Sequence, residues 1–366
     1  MEVNKIYLGN TLDVLKTFPD ESINCCVTSP PYWALRDYGT DGVIWDGEPD
    51  CEHEWEEIDV LRKATPGDKP SPNSKVAIHR TNNENRPGKP TNFCNKCGAW
   101  KGQLGLEPDF NLYIKHLCDI FDEVKRVLRK DGTCWVNLGD TYRGNNSRGS
   151  NGGRAGFGNE REGVFVRFES KNLCNIPARF SIEMQNRGWI MRNKIIWHKP
   201  NCMPSSVTDR FTVDFEEIFF FTKNKKYWFE QQFEDLQIPN RPQGDYVGGK
   251  KYQGITCGDK SIYKKNENGR NKRTVWKIPT QPFPEAHFAV FPEKLVETPI
   301  KAGCPKDGIV LDPFMGSGTV ALKALKENRN FIGIEINPDY IDMAYNRIRP
   351  LLSQSKLFEE ELICRV

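Results

Sequence analysis

"GIVLDPFMGSGTVALKA", Gly308 to Ala324, changes backbone habit three times in 17 residues. The apolar run Ile309 to Leu311 has strand character and delivers Asp312. Gly316 and Gly318 then allow a tight turn, and an apolar periodicity of helical type starts near Thr319. A buried strand, a glycine turn and a helix in that order open a parallel βαβ unit, whose helix N-terminus offers unpaired amide donors to a ligand. "NFIGIEI", Asn330 to Ile336, supplies the next strand and ends it with Glu335. That acid lies 23 residues beyond Asp312, close to the spacing of about 20 at which an acid in a nucleotide-binding unit reaches ribose hydroxyls. A glycine turn alone can be a plain connection; the ordered set favours an adenosine-containing ligand. No Lys-Ser or Lys-Thr follows the glycines, and Asp312 would repel a pyrophosphate, so no phosphate loop is expected.

The same alternation runs through most of the chain. "KIYLGN", "TLDVLKTFPD" and "INCCVTS" read as strand, helix and strand over residues 5–29. "DFNLYIKHLCDIFDEVKRVLRKDG" (109–132) reads as a long amphipathic helix closed by Asp131-Gly132, and "TCWVNLGD" as a strand. "NIPARFSIEMQNRGW" and "IMRNKIIWHK" give helix and strand, and "FEEIFFFTK" with "KYWFE" suggests a hairpin. "FPEKLVETPIKAGC" and "PDYIDMAYNRIRPLL" add helices. Strands alternating with helices imply an α/β fold with a mostly parallel sheet covered on both faces. A chain of 366 residues, 37% hydrophobic and 28% charged, suffices for one large α/β domain with insertions or for two domains. The N-terminus has no basic and apolar leader, and no apolar run approaches the roughly 18 residues that span a bilayer, so a cytoplasmic location without a membrane partner is expected.

Ligands of parallel sheets bind beyond the carboxyl ends of the strands. A second such end is "VTSPPYW", Val27 to Trp33. Each proline fixes its own φ, and Pro31 also biases Pro30 away from helical geometry, so the chain leaves the strand in a rigid extended turn. The Pro30 carbonyl and the Ser29 hydroxyl are then neighbouring acceptors beside the flat faces of Tyr32 and Trp33. Two acceptors next to an aromatic shelf suit a planar heterocycle bearing an exocyclic NH2; a strand terminator over core aromatics is the bland alternative. An adenosine cofactor without a phosphate cradle beside an aromatic amine points to methyl transfer from S-adenosylmethionine. Positioning and local electrostatics would do most of the work.

These motifs resemble the β-class DNA amino-methyltransferases, in which the catalytic motif precedes the cofactor motif. "TSPPYW", "FPEKL", "LDPFMGSGT" and "GIEIN" carry the resemblance, which covers most of residues 5–38 and 104–349. It implies a Rossmann-like methyltransferase fold acting on a base flipped out of double-stranded DNA. Ser29, Pro30, Pro31 and Tyr32 match the catalytic motif. Asp312, Phe314, Gly316, Ser317, Gly318 and Thr319 match the cofactor loop, Glu335 the ribose-binding acid, and Phe291 the segment lining the methionine side. Asn10 falls where the family often has Asp, a departure at an adenine-ring contact. Ser at position 29 is the form usual for cytosine N4 methylation, which is favoured over adenine N6. A zinc-containing DNA-binding protein with an inactive fold is the non-enzymatic alternative. The resemblance also implies a prokaryotic, archaeal or phage origin, and allows a cognate restriction endonuclease and either a monomer or a homodimer.

Residues 40–103 interrupt the α/β pattern with a polar segment rich in Pro, Asn and Lys. Most of the 12 cysteines lie singly in apolar runs, but Cys51 and His53, with Cys94 and Cys97, offer four ligands of the type that hold tetrahedral zinc. Such a metal would supply folding energy to a segment poor in apolar residues, with free thiols the alternative and His79 a possible substitute for His53. The net charge of +3 does not announce a nucleic-acid binder, but Arg241 to Val275 holds nine Lys or Arg against three acids, interleaved with tyrosines. "RGNNSRGSNGGRAGFGNEREG" (143–163) has seven glycines and follows a strand end, the place for a closing loop. The expected organisation is therefore a methyltransferase domain of 1–39 with 104–200 (catalytic half) and 286–350 (cofactor half). Segment 40–103 is an insertion, 201–285 a target recognition region and 351–366 a tail.

Overall fold

The computed structural model describes residues 1–35, 37, 39–40, 42–58, 89–143, 169–235, 269–281 and 291–363. The glycine-rich run, most of the basic segment, and His79 lie outside them. The chain divides into two compact units: 1–30, 118–140 and 175–366 form the first, and 31–117 with 141–174 the second.

The first unit is built on an eight-stranded sheet. Its strands are β1 (Lys5–Leu8), β2 (Ile23–Thr28), β7 (Leu128–Leu138), β8 (Ile190–His198), β9 (Phe215–Thr222), β12 (Val275–Lys277), β13 (Ile309–Asp312) and β14 (Asn330–Glu335), in the order β1-β14-β13-β2-β7-β9-β8-β12. All pairs are parallel except those that β9 makes with β7 and β8, so β9 alone is reversed. Helices α1 (Thr11–Lys16), α3 (Ile176–Asn186), α4 (Glu293–Gly303), α5 (Thr319–Lys326) and α6 (Pro338–Ile363) complete the unit, which also contains the short pair β10 (Phe233–Glu234) and β11 (Arg270–Asn271). The central strands are buried almost throughout, as expected for a sheet covered on both faces. At their heart Trp135 and Phe220 stack with ring centroids 3.9 Å apart.

Two expectations from the sequence change here. The long helix α2 (Phe110–Val127) gives way at Leu128 directly to β7, so Asp131-Gly132 lies inside a strand rather than closing the helix. The partner of β9 is β8, not "KYWFE". Both edges of β9 are taken by β7 and β8, which leaves Tyr227 and Phe229 to pack their rings on Phe220 instead of pairing.

The second unit holds a four-stranded antiparallel sheet ordered β3 (Val43–Trp45), β6 (Trp100–Gly102), β5 (Lys89–Cys94) and β4 (Trp55–Ile58). The inserted segment thus builds a sheet of its own, and its core is assembled on the N-terminal half of α2. His116 is fully buried between the rings of Trp45 and Trp100, at 4.5 and 5.8 Å. Its two ring nitrogens face Glu107 Oε1 at 3.0 Å and Asp46 Oδ2 at 3.2 Å. A few large aromatics and one satisfied imidazole therefore do what a run of aliphatic residues would otherwise do. Among the described residues no helix is long and apolar enough to cross a membrane.

Candidate active site

Because β1, β2, β13 and β14 run the same way and are neighbours, Asn10, Ser29, Asp312 and Glu335 are delivered to one edge of the sheet. Asp312 is 1% exposed and accepts a hydrogen bond from Thr28 Oγ1 at 2.6 Å and another from the Phe314 amide at 3.0 Å. Burial raises its carboxyl to about 7, the two hydrogen bonds oppose the rise, and the Glu335 charge adds to it.

The turn after Asp312 is fixed on every side. Gly316 (φ +49°) and Gly318 (φ +77°) occupy the left-handed region that favours glycine. Gly318 packs on α6 so closely that a Cβ there would lie 2.7 Å from Ala344 Cβ. The Glu335 carboxylate accepts the Gly316 amide on Oε2 at 2.7 Å and the Ile336 and Asn337 amides on Oε1. Burial raises its carboxyl and these amides hold it down, with a net upward shift. Arg347, on α6, donates to the Ser317 carbonyl and hydroxyl and to Thr319 Oγ1. Phe314 is half-buried. Asn10 caps α1 through Oδ1, and Thr11 donates to the Pro313 carbonyl at 2.7 Å, which joins the end of β1 to the same turn. Phe291 lines a small hollow with Thr28, Trp135, Asn137, Ile218 and Leu295, beside the end of β2. This ledge of glycines, backbone amides and a buried acid suits a nucleoside.

In the diproline stretch, Pro30 is buried and Ser29 half-buried at the end of β2. Within the second unit, Tyr113 donates its hydroxyl to the Pro31 carbonyl at 2.8 Å, and the Ala34 amide donates to the Gly105 carbonyl at 2.8 Å. Gly105 has φ +93°, and a Cβ there would lie 3.1 Å from the Tyr32 carbonyl oxygen. Tyr32 is half-buried. Trp33 is not part of an open shelf: it is buried edge-on against Phe110 and donates its indole N–H to the Glu107 carbonyl. Its payload of apolar area anchors the bend instead.

Cys51, His53, Cys94 and Cys97 also come together, with ligand atoms all within 4.8 Å of one another. Cys51 Sγ and Cys94 Sγ are 3.9 Å apart, and Cys97 Sγ and His53 Nδ1 are 3.4 Å apart. Zinc–ligand bonds of about 2.0–2.3 Å give tetrahedral edges of roughly 3.3–3.8 Å, so the donor set fits that ion. Burial and the neighbouring Cys97 and Cys94 thiols push Cys51 up to about 12. Burial also pushes Cys94 upward, but the Cys97 amide, the His53 ring and the Lys96 amide outweigh it and bring that thiol down to about 5. None of the described cysteines is in a disulfide.

The DNA methylase family that comprises N6 and N4 amino-methyltransferases matches residues 23–346. The chain belongs to this family. Among its relatives is the Type II methyltransferase M.Cfr9I of Citrobacter freundii, 33% identical over 94% of this chain and 87% of that one. M.XycI of Xanthomonas campestris pv. cyanopsidis is 34% identical over the same shares, and M.SmaI of Serratia marcescens 33% identical over 94% and 90%. The PvuII DNA methyltransferase (cytosine-N4-specific) shares the fold, with a TM-score of 0.53 at 18% identity over 95% of this chain and 86% of that one. The methylase is thus a DNA amino-methyltransferase of the β class that uses S-adenosylmethionine, with the mostly parallel methyltransferase sheet expected from the sequence.

Sequence reading missed three residues that brace these turns. Thr28 directly precedes the quoted catalytic residues, and its place as the last residue of a buried strand beside Asp312 could have singled it out. Arg347 and Tyr113 carry no local signal. Each looks like an ordinary helix residue until tertiary structure brings it to a turn far away in the chain.

Proposed function

We propose that this methylase transfers the S-adenosylmethionine methyl group to N4 of a cytosine flipped out of duplex DNA. The Ser29-Pro30-Pro31-Tyr32 sequence leaving β2, next to the strand that carries Asp312, is the observation that carries this reading. The cofactor supplies an electrophilic methyl on a sulfonium. Glu335 and the turn from Asp312 to Thr319 hold its nucleoside, with Phe314 against the purine, Asn10 at the rim of the site and Phe291 facing the aliphatic arm. Ser29 Oγ and the Pro30 carbonyl accept the two amine hydrogens, which favours a tetrahedral nitrogen with its lone pair free for in-line attack. Pro31 holds the bend rigid and Tyr32 stacks on the base. The new N–C bond forms as the S–C bond breaks, and the amine releases one proton to solvent. Residues 201–285 act as the target recognition region, supported by the basic balance of 241–275.

Nucleosides from DNA treated with the enzyme and cofactor, separated by mass spectrometry, test the target. N4-methylcytosine is expected, and N6-methyladenine alone would overturn that choice while leaving the family assignment intact. The Type II designation of the relatives supports a modification role opposite a cognate restriction endonuclease.

The cysteine and histidine cluster holds one structural zinc that staples β4 and β5 of the second unit. Its support is the convergence of three thiols and an imidazole at tetrahedral spacing. Elemental analysis of the purified enzyme is expected to give about one zinc per chain, and Cys97→Ser to lower it. A metal content near zero would refute the assignment.

A further inference from the structure

Between β8 and β9 the chain makes an excursion of 16 residues, 199–214, outside any helix or strand. Its two ends are clamped. The Lys199 amide donates to the Asp214 carbonyl at 2.7 Å, and His198 faces Asp214 at 3.4 Å. Asn201 exchanges two hydrogen bonds with the Thr280 backbone, at 3.0 and 2.8 Å. Beyond that clamp every residue from Met203 to Val213 is exposed. Phe211 is 96% exposed and Met203 88%, while Val207 and Val213 are also open. Bare aromatic and thioether groups on a pinned loop forgo the burial that would repay their ordering, which marks an interaction surface.

The position of this loop says what it meets. Strand β8 runs parallel to β2, β13 and β14, so the excursion leaves the sheet at the same edge as Ser29, Asp312 and Glu335. On the function proposed above, the target base has to reach Ser29 at that edge, so the duplex approaches it there. A target amine inside a stacked duplex is out of reach, and removing its base costs a few kcal/mol of stacking and pairing. An apolar side chain inserted between base steps offsets that cost by filling the gap. Polar loop residues could grip phosphates, but Phe211 and Met203 have no use for phosphates.

We propose that Phe211, on the same exposed loop as Met203, is the wedge that enters the DNA base stack when the target base leaves it. This inference rests on the DNA-methylating function stated above. The test uses the full chain, tritiated S-adenosylmethionine and short duplexes that carry the enzyme's own site, located by sequencing DNA modified in expressing cells. One duplex has the target base paired; a second has it opposite an abasic position, where extrusion is already cheap.

Phe211→Ala is expected to slow single-turnover methylation of the paired duplex by roughly 10- to 100-fold, the rate equivalent of a few kcal/mol. On the abasic duplex the loss should stay within about 3-fold, and Phe211→Trp should restore most of the paired rate. The melting temperature should not move. An unchanged rate on the paired duplex, an equal loss on both duplexes, or a lowered melting temperature showing the ring to be packed within the protein would each overturn the wedge. Failure of the unaltered enzyme to methylate either duplex would instead sink the functional reading on which it rests.

Discussion

Thr28 Oγ1 donates to Asp312 Oδ1 across 2.6 Å, and both groups are buried. One residue after Thr28 the diproline turn begins, and one residue after Asp312 the glycine turn begins. A single hydrogen bond, between residues 284 positions apart in the chain, therefore locks the starting points of both turns together on adjacent strands. Thr28→Val keeps the shape and removes the donor. It should cost about 1–2 kcal/mol, the loss of a buried hydrogen bond to an acceptor that keeps only the Phe314 amide, as read by denaturant unfolding. Cofactor affinity measured by calorimetry should weaken in parallel, because Asp312 also orders the Phe314 amide.

Asp312 makes the ligand-free protein sensitive to pH in a defined direction. Burial lifts its carboxyl from an ordinary 3.8 to about 7, so across that interval the folded state binds more protons than the unfolded one. Its contribution to stability is complete below the ordinary value and is lost as pH rises through about 7. The loss is on the order of 4 kcal/mol at most, from the size of the shift. Glu335 is shifted the same way and adds to the slope. Unfolding free energies of the apo protein should fall between pH 4 and 8, and Asp312→Asn should remove the larger part of that fall. A slope unaffected by Asp312→Asn would contradict the assigned cause.

What the sequence disclosed and what it hid follow from how local each signal is. The Asp312 turn, the diproline stretch and Glu335 are contiguous motifs at strand ends, and parallel strand order alone carries them to one edge. The grouping of Cys51, His53, Cys94 and Cys97 was legible because donor chemistry survives without knowledge of the fold. The hairpin assigned to "KYWFE" failed because aromatic residues suit a strand and a core equally well, and only the occupied edges of β9 decide between them. Trp33 looked like a shelf for the same reason, although Phe110 and the Glu107 carbonyl already claim it. Arg347 was invisible, since nothing in α6 announces a turn 28 residues upstream at Thr319.

The two glycines of the turn after Asp312 should respond differently to alanine. At Gly316 a Cβ meets nothing closer than 4.0 Å, so Gly316→Ala costs only the left-handed backbone penalty of about 1–2 kcal/mol. At Gly318 the same penalty is joined by collision with the Ala344 backbone and Cβ, adding about 1–3 kcal/mol of overpacking. Thermal unfolding should therefore rank Gly318→Ala well below Gly316→Ala.

The diproline bend is held from behind, and this can be separated from cofactor binding. Tyr113 bonds the Pro31 carbonyl, and Gly105 backs onto the Tyr32 carbonyl in a conformation that other residues rarely adopt. Neither residue belongs to the cofactor turn. Tyr113→Phe deletes one hydrogen bond of about 1 kcal/mol, and Gly105→Ala forces the Tyr32 backbone to move. Misplacing the acceptors and the ring proposed above to orient the base should lower kcat, since rate is steep in the positioning of reacting groups. A fall of several-fold for Tyr113→Phe and about 10-fold for Gly105→Ala is expected. S-adenosylmethionine affinity should stay within about 2-fold of the parent, because Glu335, Arg347 and the glycine turn are untouched. Equal losses of kcat and cofactor affinity would show that these residues support the whole fold rather than the bend.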